Sequence, residues 1–572
     1  MISFHRTASA PRLPGWVLIL FVTTGLLSCR PEVTAPGPTV ASRGMVVSSS
    51  PLASQAGVDV MREGGNAIDA AVAVSFALAV VHPIAGNVGG GGFLLYHDAE
   101  TGREISVDYR EMAPGGAGRD MYLDAAGEVV PELSTVGYLA SGVPGSVAGL
   151  HLAWSRFGTL PWSRLLEPAI ELARSGFVVE EHFARSLESA APLLERFDET
   201  RRIFLPGGSP PAPGRTFTQP DLARTLEAVA CNGAEAFYRG EIAELIQRDM
   251  EAHGGIMTRE DLANYVARIR PPVRGRYRGY EVVSMGPPSS GGVILIEMLN
   301  MLELAGRRQE TTGRLHLLAE IMRRAFADRA ATMGDADFAE VPVDRLLSRE
   351  HARERLGDLD ETAATESSQV AAGPFAEESP QTTHLSVVDP AGSAVAITTT
   401  INGNFGSGAT VKGAGFLLNN EMDDFTSRPG VPNMFGLLQG EANAIAPGKR
   451  PLSAMTPTLV KQDGKVLLVL GSPGGPTIIN TVLQIILNVL DQEMDLYAAV
   501  DEPRIHHQWM PDRIVAETGA LSREVEAELE SLGHEVVYRG RIGDAHCIRV
   551  DPVSGLREGV ADPRLWGEAR GF

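Results

Sequence analysis

The sequence predicts a large globular protein that combines α-helices with β-strands. Its 572 residues are 44% hydrophobic and 21% charged, which supplies apolar material for an extensive core and argues against a wholly disordered chain. Helical and strand-like patterns alternate along the chain. Residues 384–401 are typical of a β-hairpin, because a strand-like run, the turn sequence DPAG and a second strand-like run follow one another.

The other elements are predicted from periodicity and from turn residues. Residues 54–83 give two Ala-rich helices separated by Gly64 and Gly65, and the second is apolar almost all round, so we expect it to be buried. The remaining clear patterns predict helices at 292–306 and 314–330, strands at 103–111 and 279–286, and a surface loop rich in Pro and Gly at 206–215.

The N-terminus predicts export from the cytoplasm. Residues 1–28 hold a short basic region and an apolar run that is too short for an ordinary transmembrane helix, which is typical of a secretory signal peptide. The sequence LLSC, ending at Cys29, resembles a bacterial lipobox, so Cys29 is the predicted lipidation site; a plain signal peptide is the alternative. Residues 29–43 predict a Pro-rich tether. We expect the body to be periplasmic or anchored at the outer membrane by lipid alone.

Net charge disfavours some binding partners, and the cysteine count argues against a disulfide-stabilised fold. A net charge of −21 makes nucleic acid and anionic membranes poor partners. The three cysteines do not form a disulfide framework, and we expect Cys231 and Cys547 to be buried thiols.

The start of the hairpin is a candidate catalytic position. Residues 363–381 are acidic with few large apolar side chains, so we expect them to be mobile, and a strand follows directly at Thr382. A Thr hydroxyl needs an adjacent base, and the α-amine of a chain terminus can serve as that base. Thr382 would then become a nucleophile after self-cleavage; an ordinary strand start is the alternative. The predicted hairpin register places Thr399 or Thr400 opposite Thr382.

A glycine pair offers a second catalytic feature. A buried strand runs into Gly474 and Gly475, and Pro476 then occupies a position favoured at the start of an apolar helix. The unpaired N–H groups of such a turn can hold an oxyanion. A phosphate site and a tight turn without a ligand are the alternatives.

Charged residues elsewhere suggest a substrate with both signs of charge. Residues 416–425 end a predicted strand in a cluster of amides and acids, which either makes a turn or lets Glu421, Asp423 and Asp424 hold an ammonium group. Arg110 could pair with a carboxylate through its two-pronged guanidinium group. The adjacent His506 and His507 would face opposite sides of a strand, which favours a structural role over a metal site.

Taken together, these motifs closely resemble those of the γ-glutamyltranspeptidases, which are N-terminal-nucleophile hydrolases. The resemblance covers essentially all of residues 40–572 and is carried by nine motifs in the family's order: NVGGGGF, DYREMAP, PPSSGG, FADR, QTTHLSVVD, LLNNEMDDF, KRPLSAMTPT, GSPGGP and PRIHHQW. The resemblance implies an α+β fold, a four-layer αββα sandwich of two stacked antiparallel sheets flanked by helices.

The resemblance also implies roles for individual residues. The precursor would cut itself between Gln381 and Thr382, leaving a large subunit (44–381) and a small subunit (382–572) intertwined as one catalytic domain. The implied catalytic residues are Thr382 as nucleophile, Thr400 as its supporting hydroxyl, and Gly474 and Gly475 as the oxyanion hole. The implied substrate-binding residues are Arg110 and Ser453 for the α-carboxylate, and Asn402, Glu421 and Asp424 for the α-ammonium group.

The implied activity is transfer of a γ-glutamyl group from glutathione or another γ-glutamyl compound to water, an amino acid or a peptide. No metal or cofactor is implied. Two other classes compete: an acylase acting on a cephalosporin or glutaryl amide or on poly-γ-glutamate, and an anchored binding protein without catalysis. This chain departs from many relatives at Ala454, where a second serine is missing. It also carries Phe435, in the lid segment 428–440, where some bacterial members have a tyrosine; we therefore expect the lid to close by packing.

Overall fold

The computed structural model describes residues 37–370 and 382–572. The predicted signal peptide, the lipidation site Cys29 and the cleavage residue Gln381 lie outside the described residues. Residues 37–572 form one compact unit.

Most strands belong to two central sheets. In chain order the strands are β1 Thr39–Ala41, β2 Met45–Ser48, β3 Gly91–His97, β4 Glu104–Asp108, β5 Phe177–Val178, β6 Thr216–Phe217, β7 Arg268–Arg270, β8 Val273–Tyr277, β9 Tyr280–Ser284, β10 Thr383–Val388, β11 Ala394–Thr400, β12 Thr458–Gln462, β13 Lys465–Leu470, β14 Ile505–His506, β15 Ile514–Glu517, β16 Val536–Arg539, β17 His546–Val550, β18 Arg557–Ala561 and β19 Glu568–Gly571.

Both central sheets have seven strands and are antiparallel throughout. One sheet has the order β1-β18-β17-β13-β12-β9-β8, and the other has the order β19-β2-β10-β11-β3-β4-β7. Two small sheets, β14-β15-β16 and β5-β6, lie apart from them. The predicted hairpin, β10 and β11, therefore occupies the middle of the second sheet, where it is paired on both sides.

Helices flank the stacked sheets. They are α1 Pro51–Arg62, α2 Ala67–Val81, α3 Pro131–Thr135, α4 Ser146–Phe157, α5 Trp162–Ser175, α6 Glu181–Leu194, α7 Asp198–Phe204, α8 Pro220–Asn232, α9 Ala234–Tyr238, α10 Glu241–His253, α11 Arg259–Asn264, α12 Gly291–Ala305, α13 Thr311–Thr332, α14 Val343–Leu346, α15 Arg349–Leu356, α16 Thr477–Leu490, α17 Leu496–Asp501 and α18 Arg523–Ser531.

Alternation along the strands builds three apolar layers between these elements. Val388 of β10 and Val469 of β13 point into a cluster between the two sheets. Their neighbours Val387 and Leu468 point the opposite way, into clusters shared with α2 and with α12, α13 and α16 respectively. Successive strand residues face opposite sides, so each sheet buries both faces. The predicted four-layer αββα architecture is confirmed.

The helix predicted to be buried shows how the sequence specifies its start. Asn66 caps α2 by accepting a hydrogen bond from the backbone of Asp69, whose side chain accepts one from the Asn66 backbone in return. Every residue of α2 is buried. The predicted helices at 292–306 and 314–330 correspond to α12 and α13, and the predicted strands to β4 and β9. Residues 206–215 form a largely exposed loop, as predicted.

Several local predictions are wrong. Cys231 is exposed, and only Cys547 is a buried thiol. The tether segment 29–43 includes β1, which pairs with β18, so this part belongs to the body. Residues 416–425 make a single bridge at Leu417 and then a 3₁₀ helix rather than a strand.

The segment expected to be mobile packs against the body as far as Ser367. The backbone of Ala364 donates to Leu532, and the backbone of Ser367 donates to Asp512, both at 2.6 Å. Trp509 donates to the carbonyl of Ser367 at 3.1 Å. The prediction is wrong for this part because a polar composition does not reveal partners that are distant in sequence; the rest, 371–381, lies outside the described residues.

Within the described residues, no helix combines the length and the apolar character needed to cross a bilayer.

The layer between sheet and helices can be tested by removing one side chain. Leu468 is fully buried, so Leu468→Ala should lower the free energy of unfolding by about 2–5 kcal/mol through lost burial and the cavity left behind. Chemical denaturation followed by circular dichroism measures this change. Lys465→Ala, at the exposed start of the same strand, is the matched control; equal losses in the two variants would contradict the layer assignment.

Candidate active site

The hairpin register brings two threonines together. Thr383 lies opposite Thr399, so the register continued by one residue places Thr382 opposite Thr400. This settles the choice that the sequence left open. Thr382 is half-buried just ahead of β10, whereas Thr400 is buried, and its hydroxyl accepts a hydrogen bond from the Asn402 backbone at 2.8 Å.

One cavity collects most of the predicted site residues. It lies beside the 435–437 segment, and its predicted lining residues are Thr382, Thr400, Arg110, Asn402, Glu421, Asp424, Ser453 and Gly475. Gly474 does not line it, although it is the neighbour of a residue that does. The other lining residues are Arg329, Phe435, Leu437, Ala454, Met455, Pro476 and Ile478.

The glycine pair has a backbone conformation that other residues rarely adopt. Gly474 has φ of 139° and Gly475 has φ of 54°. A Cβ on Gly474 would lie 2.3 Å from the Thr477 hydroxyl, and one on Gly475 would lie 3.2 Å from the Phe435 ring. Within residues 37–370 and 382–572, neither glycine N–H donates a hydrogen bond. Both donors are therefore available to an oxyanion at the start of α16.

Arg110 is the most heavily paired side chain of the cavity. It is 1% exposed, and its guanidinium group forms ion pairs with Glu421 and, at 2.5 Å, with Asp424. It also donates to the Pro451 carbonyl at 3.2 Å. The residues predicted for opposite ends of a substrate thus contact each other directly, so the cavity presents both signs of charge side by side.

A buried acid next to Arg110 was not predicted from the sequence. Glu111 is fully buried, its carboxylate lies 3.6 Å from Arg110, and neither of its oxygens accepts a hydrogen bond from a described residue. Burial raises the pKa of Glu111 to about 7, against the attraction of Arg110. Burial likewise raises the pKa of Glu421 above its ordinary value, and the neighbouring Glu111 adds to this effect. Both shifts have burial as their largest cause, so this cluster disfavours full ionisation of its carboxyl groups.

The lid segment is held by hydrogen bonds as well as by packing. Asn433 donates to Asp424 at 3.1 Å, and the backbone of Met434 donates to Asp423 at 2.9 Å. Phe435 is buried against Gly475. The prediction that closure depends on packing is therefore incomplete. Asp423, considered for an ammonium group, does not line the cavity and instead holds the lid.

Asn402 lies in a strained backbone conformation at the edge of the cavity. Its φ is 68°, a left-handed value that asparagine tolerates better than most residues. Its side chain donates to the Asn420 carbonyl at 3.0 Å, which orients the amide oxygen for a further contact.

Arg329 is a second buried guanidinium in the cavity wall. It is 1% exposed, its Nε donates to Ser290 at 2.9 Å, and its Nη1 has no hydrogen-bond partner within the described residues. Burial lowers its pKa to about 10, where it is still charged at neutral pH. It lines the same cavity as Ala454, where a hydroxyl is missing. The FADR motif was the only signal for this residue in the sequence.

The adjacent histidines are packed in the protein interior. His506 and His507 are both buried, with His506 hydrogen-bonded to Asn480 at 2.7 Å and His507 lying 3.4 Å from Asp512.

Two other groups have a composition compatible with a metal ion, His316 with Glu320 and His534, and Glu297 with Asp328 and His351. None of their members lines the cavity at Thr382.

Comparisons with known proteins agree with this arrangement. Residues 53–572 match the family model described as Gamma-glutamyltranspeptidase. The chain is 46% identical over 532 residues to the glutathione hydrolase proenzyme of Escherichia coli, covering 92% of this chain and 91% of that protein. It resembles the crystal structure of cephalosporin acylase from Bacillus halodurans with a TM-score of 0.83 at 27% identity, covering 95% and 98% of the two chains. The γ-glutamyltranspeptidase of Helicobacter pylori is 47% identical with a TM-score of 0.55, covering 56% of this chain and 93% of that one.

The buried acid predicts a pH dependence of stability. Between about pH 4.5 and 7 the folded protein keeps a proton on Glu111 that the unfolded chain has released, so this residue's contribution to the free energy of unfolding falls as pH rises. Glu111→Gln cannot ionise, and its free energy of unfolding should fall less steeply across that window. Denaturation at a series of pH values measures the slopes.

Glu188→Gln, at an exposed position, is the control for that experiment and should keep the wild-type slope. Identical slopes for the wild type and Glu111→Gln would contradict the assignment.

Proposed function

The chain belongs to the γ-glutamyltranspeptidase family of N-terminal-nucleophile hydrolases, and on that premise we propose roles for its residues in the family's reaction. The protein is an enzyme, a γ-glutamyltransferase and glutathione hydrolase. One observation carries the assignment of residues. A single cavity is lined by Thr382, Thr400, Gly475 and all five side chains predicted to bind the glutamyl group.

We propose that the precursor matures by cutting itself between Gln381 and Thr382. The products are a large subunit that ends at Gln381 and a small subunit, 382–572, which remain associated. The half-buried position of Thr382 at the end of a central strand supports this proposal, because the residue is fixed by β10 yet borders two cavities. The Escherichia coli relative's name, a proenzyme, supports it as well.

In the mature enzyme the α-amine of Thr382 takes the proton from its own hydroxyl as Oγ1 attacks the γ-carbonyl carbon of the donor. The N–H groups of Gly474 and Gly475 stabilise the resulting oxyanion. The Thr400 hydroxyl lies beside the nucleophile and supports it. When the intermediate collapses, the leaving amine receives the proton and a γ-glutamyl ester of Thr382 remains.

The ester is then attacked by water, which gives glutamate, or by the amine of an amino acid or peptide, which gives a new γ-glutamyl compound. The incoming nucleophile loses its proton to the Thr382 amine, and the proton returns to the departing Thr382 oxygen. These steps require only groups of this chain and the two substrates.

The charges of the cavity suit the zwitterionic end of a glutamyl group. We assign the α-carboxylate to Arg110, Ser453 and Arg329, because Arg329 contributes a buried N–H without a hydrogen-bond partner within the described residues to the cavity that Ala454 also lines. We assign the α-ammonium group to Asn402, Glu421 and Asp424. An acyl chain without charges would leave the buried Arg329 N–H unmatched, which argues against a general acylase.

We also propose that residues 1–28 are removed on export and that Cys29 carries a lipid anchor, with the body outside the cytoplasm. The apolar run and the LLSC sequence support this proposal.

Maturation and catalysis should both depend on Thr382. Purified wild-type protein should give two fragments on a denaturing gel, the smaller beginning at Thr382 by intact mass. Thr382→Ala should remain one chain and release no p-nitroaniline from γ-glutamyl-p-nitroanilide, because it lacks the attacking oxygen. Thr382→Ser keeps a hydroxyl and an amine and should still be cut. Fragments from Thr382→Ala at the same position would rule out this nucleophile.

Binding of the α-carboxylate and binding of the α-ammonium group can be tested separately with two donor substrates. Glutaryl-p-nitroanilide keeps the carboxylate of γ-glutamyl-p-nitroanilide but lacks its ammonium group. Asp424→Asn should lower kcat/KM roughly 10- to 100-fold for the γ-glutamyl donor and much less for the glutaryl donor, since only the former contacts Asp424. Arg329→Gln should lower kcat/KM for both donors.

Arg314→Gln, at the other end of the same helix, is the control and should match the wild type on both donors. A wild-type enzyme that prefers the glutaryl donor would contradict the proposed substrate class and favour an acylase.

A further inference from the structure

Three side chains of the kinds that bind metal ions meet where α12, α13 and α15 come together. Glu297 lies on α12, Asp328 on α13 and His351 on α15. One ligand atom from each lies within 4.8 Å of the other two. None of the three lines the cavity at Thr382, although Asp328 directly precedes Arg329, which does. The cluster is therefore separate from the site described above.

Glu297 occupies a position where a carboxyl group is unfavourable unless it has a ligand. It is the only charged residue of the buried run 291–302. Neither of its oxygens accepts a hydrogen bond from a described residue, and burial raises its pKa above the ordinary value. His351 Nε2 has a single hydrogen to offer, and its hydrogen bond goes to Asp328 at 3.0 Å. The cluster thus holds a buried carboxyl group without a donor, which is costly.

The spacing of the ligand atoms fits one divalent ion. His351 Nε2 lies 3.0 Å from Asp328 Oδ2 and 3.3 Å from Glu297 Oε1. Two ligands that each bind zinc at about 2.0–2.2 Å are themselves separated by roughly 3.0–3.5 Å. An ion between these atoms would contact both carboxylates at once, which a single hydrogen on the imidazole ring does not do.

Two further charged side chains support these ligands. Arg355 Nε lies 2.8 Å from Asp328 Oδ2, and the Glu354 carboxylate lies 3.8 Å from Nδ1, the other ring nitrogen of His351. A histidine that binds a metal through one nitrogen commonly donates its other N–H to a carboxylate. The charges also balance, because two carboxylate ligands match a divalent ion and Glu354 matches Arg355.

We propose that Glu297, Asp328 and His351 bind one divalent transition-metal ion, which joins α12, α13 and α15. Imidazole together with carboxylates suits Zn²⁺ and similar ions better than Mg²⁺ or Ca²⁺, which prefer oxygen ligands alone. Water completes the coordination from the side of Asp328, whose side chain is 16% exposed. The ion is structural, and the inference goes beyond the proposed function without depending on it.

The other cluster of metal-binding side chains is less suited to an ion. His316 Nδ1 and His534 Nε2 already share a hydrogen bond at 2.8 Å. Both oxygens of Glu320 accept hydrogen bonds, one from Arg323 and the other from Arg324. A cation there would have to displace these contacts and would face two guanidinium groups.

Metal analysis and thermal unfolding test the site directly. The purified protein is stripped with a chelator, desalted and incubated with Zn²⁺ alone. After gel filtration the wild type should retain about one zinc ion per molecule, and its Tm should rise by about 2 °C or more, because only the folded protein holds the three ligands together. Failure to retain zinc, or retention without a rise in Tm, would overturn the proposal.

Two variants locate the ion. Glu297→Gln and His351→Gln each remove one ligand and should lose both the zinc and the rise in Tm. Glu297→Gln keeps the size of the side chain and removes a buried acid, so it should fold without zinc. His253→Gln is the matched control and should behave as the wild type, because His253 lies 3.4 Å from Asp249 on the surface and belongs to no metal-binding cluster of the described residues.

The remaining outcomes decide between this cluster and its alternatives. Zinc retained by both ligand variants would show that a proton, not a metal ion, balances Glu297, and would overturn the proposal. Loss of zinc in His534→Gln but not in His351→Gln would place the ion at the other cluster and overturn it as well. Should one ligand variant fail to fold, the other decides.

Discussion

The burial of one guanidinium group, that of Arg110, is the constraint on which the active site depends. A charge removed from water is stable only when it is paired and hydrogen-bonded. Arg110 meets this requirement by joining three segments, since it follows β4, forms ion pairs with the 421–424 turn, and donates to the carbonyls of Pro451 and Leu452. Arg110, Glu421 and Asp424 also line the cavity that we propose for the glutamyl group. The contacts that stabilise the buried charge of Arg110 therefore also form the proposed substrate site.

The sheets supply a second, independent constraint on the site. The hairpin lies in the middle of its sheet, with β2 on one side and β3 on the other, so a slip of one residue would turn buried side chains such as Val387 to the wrong face. Thr382, the proposed nucleophile, is held by this register, while the proposed oxyanion donors Gly474 and Gly475 follow β13 of the other sheet. Stacking of the two sheets brings Thr382 close to the glycine turn.

The lid segment 428–440 is linked to the buried Arg110 through the charged residue Asp424. Asp424 contacts Arg110 on one side and the lid residue Asn433 on the other, and the adjacent Asp423 accepts from the lid backbone. A ligand that changes the pairing of Asp424 therefore also changes what holds the lid. The acids Glu111 and Glu421 lie next to Arg110, and burial raises the pKa of both carboxyl groups.

The sequence by itself determined the local features. Periodicity and a capping box specify the buried helix α2, alternation specifies the hairpin, and the motifs around Thr382, Gly474 and Arg110 identify the chemistry, because each depends on neighbouring residues. Tertiary structure decided the rest. The strand register places Thr400, not Thr399, opposite Thr382. Packing leaves Cys231 exposed and holds residues 364–367 against segments that are distant in the sequence. It also turned Arg329 into the cavity and opened a second cavity beside the nucleophile, since both follow from packing between segments far apart in the chain.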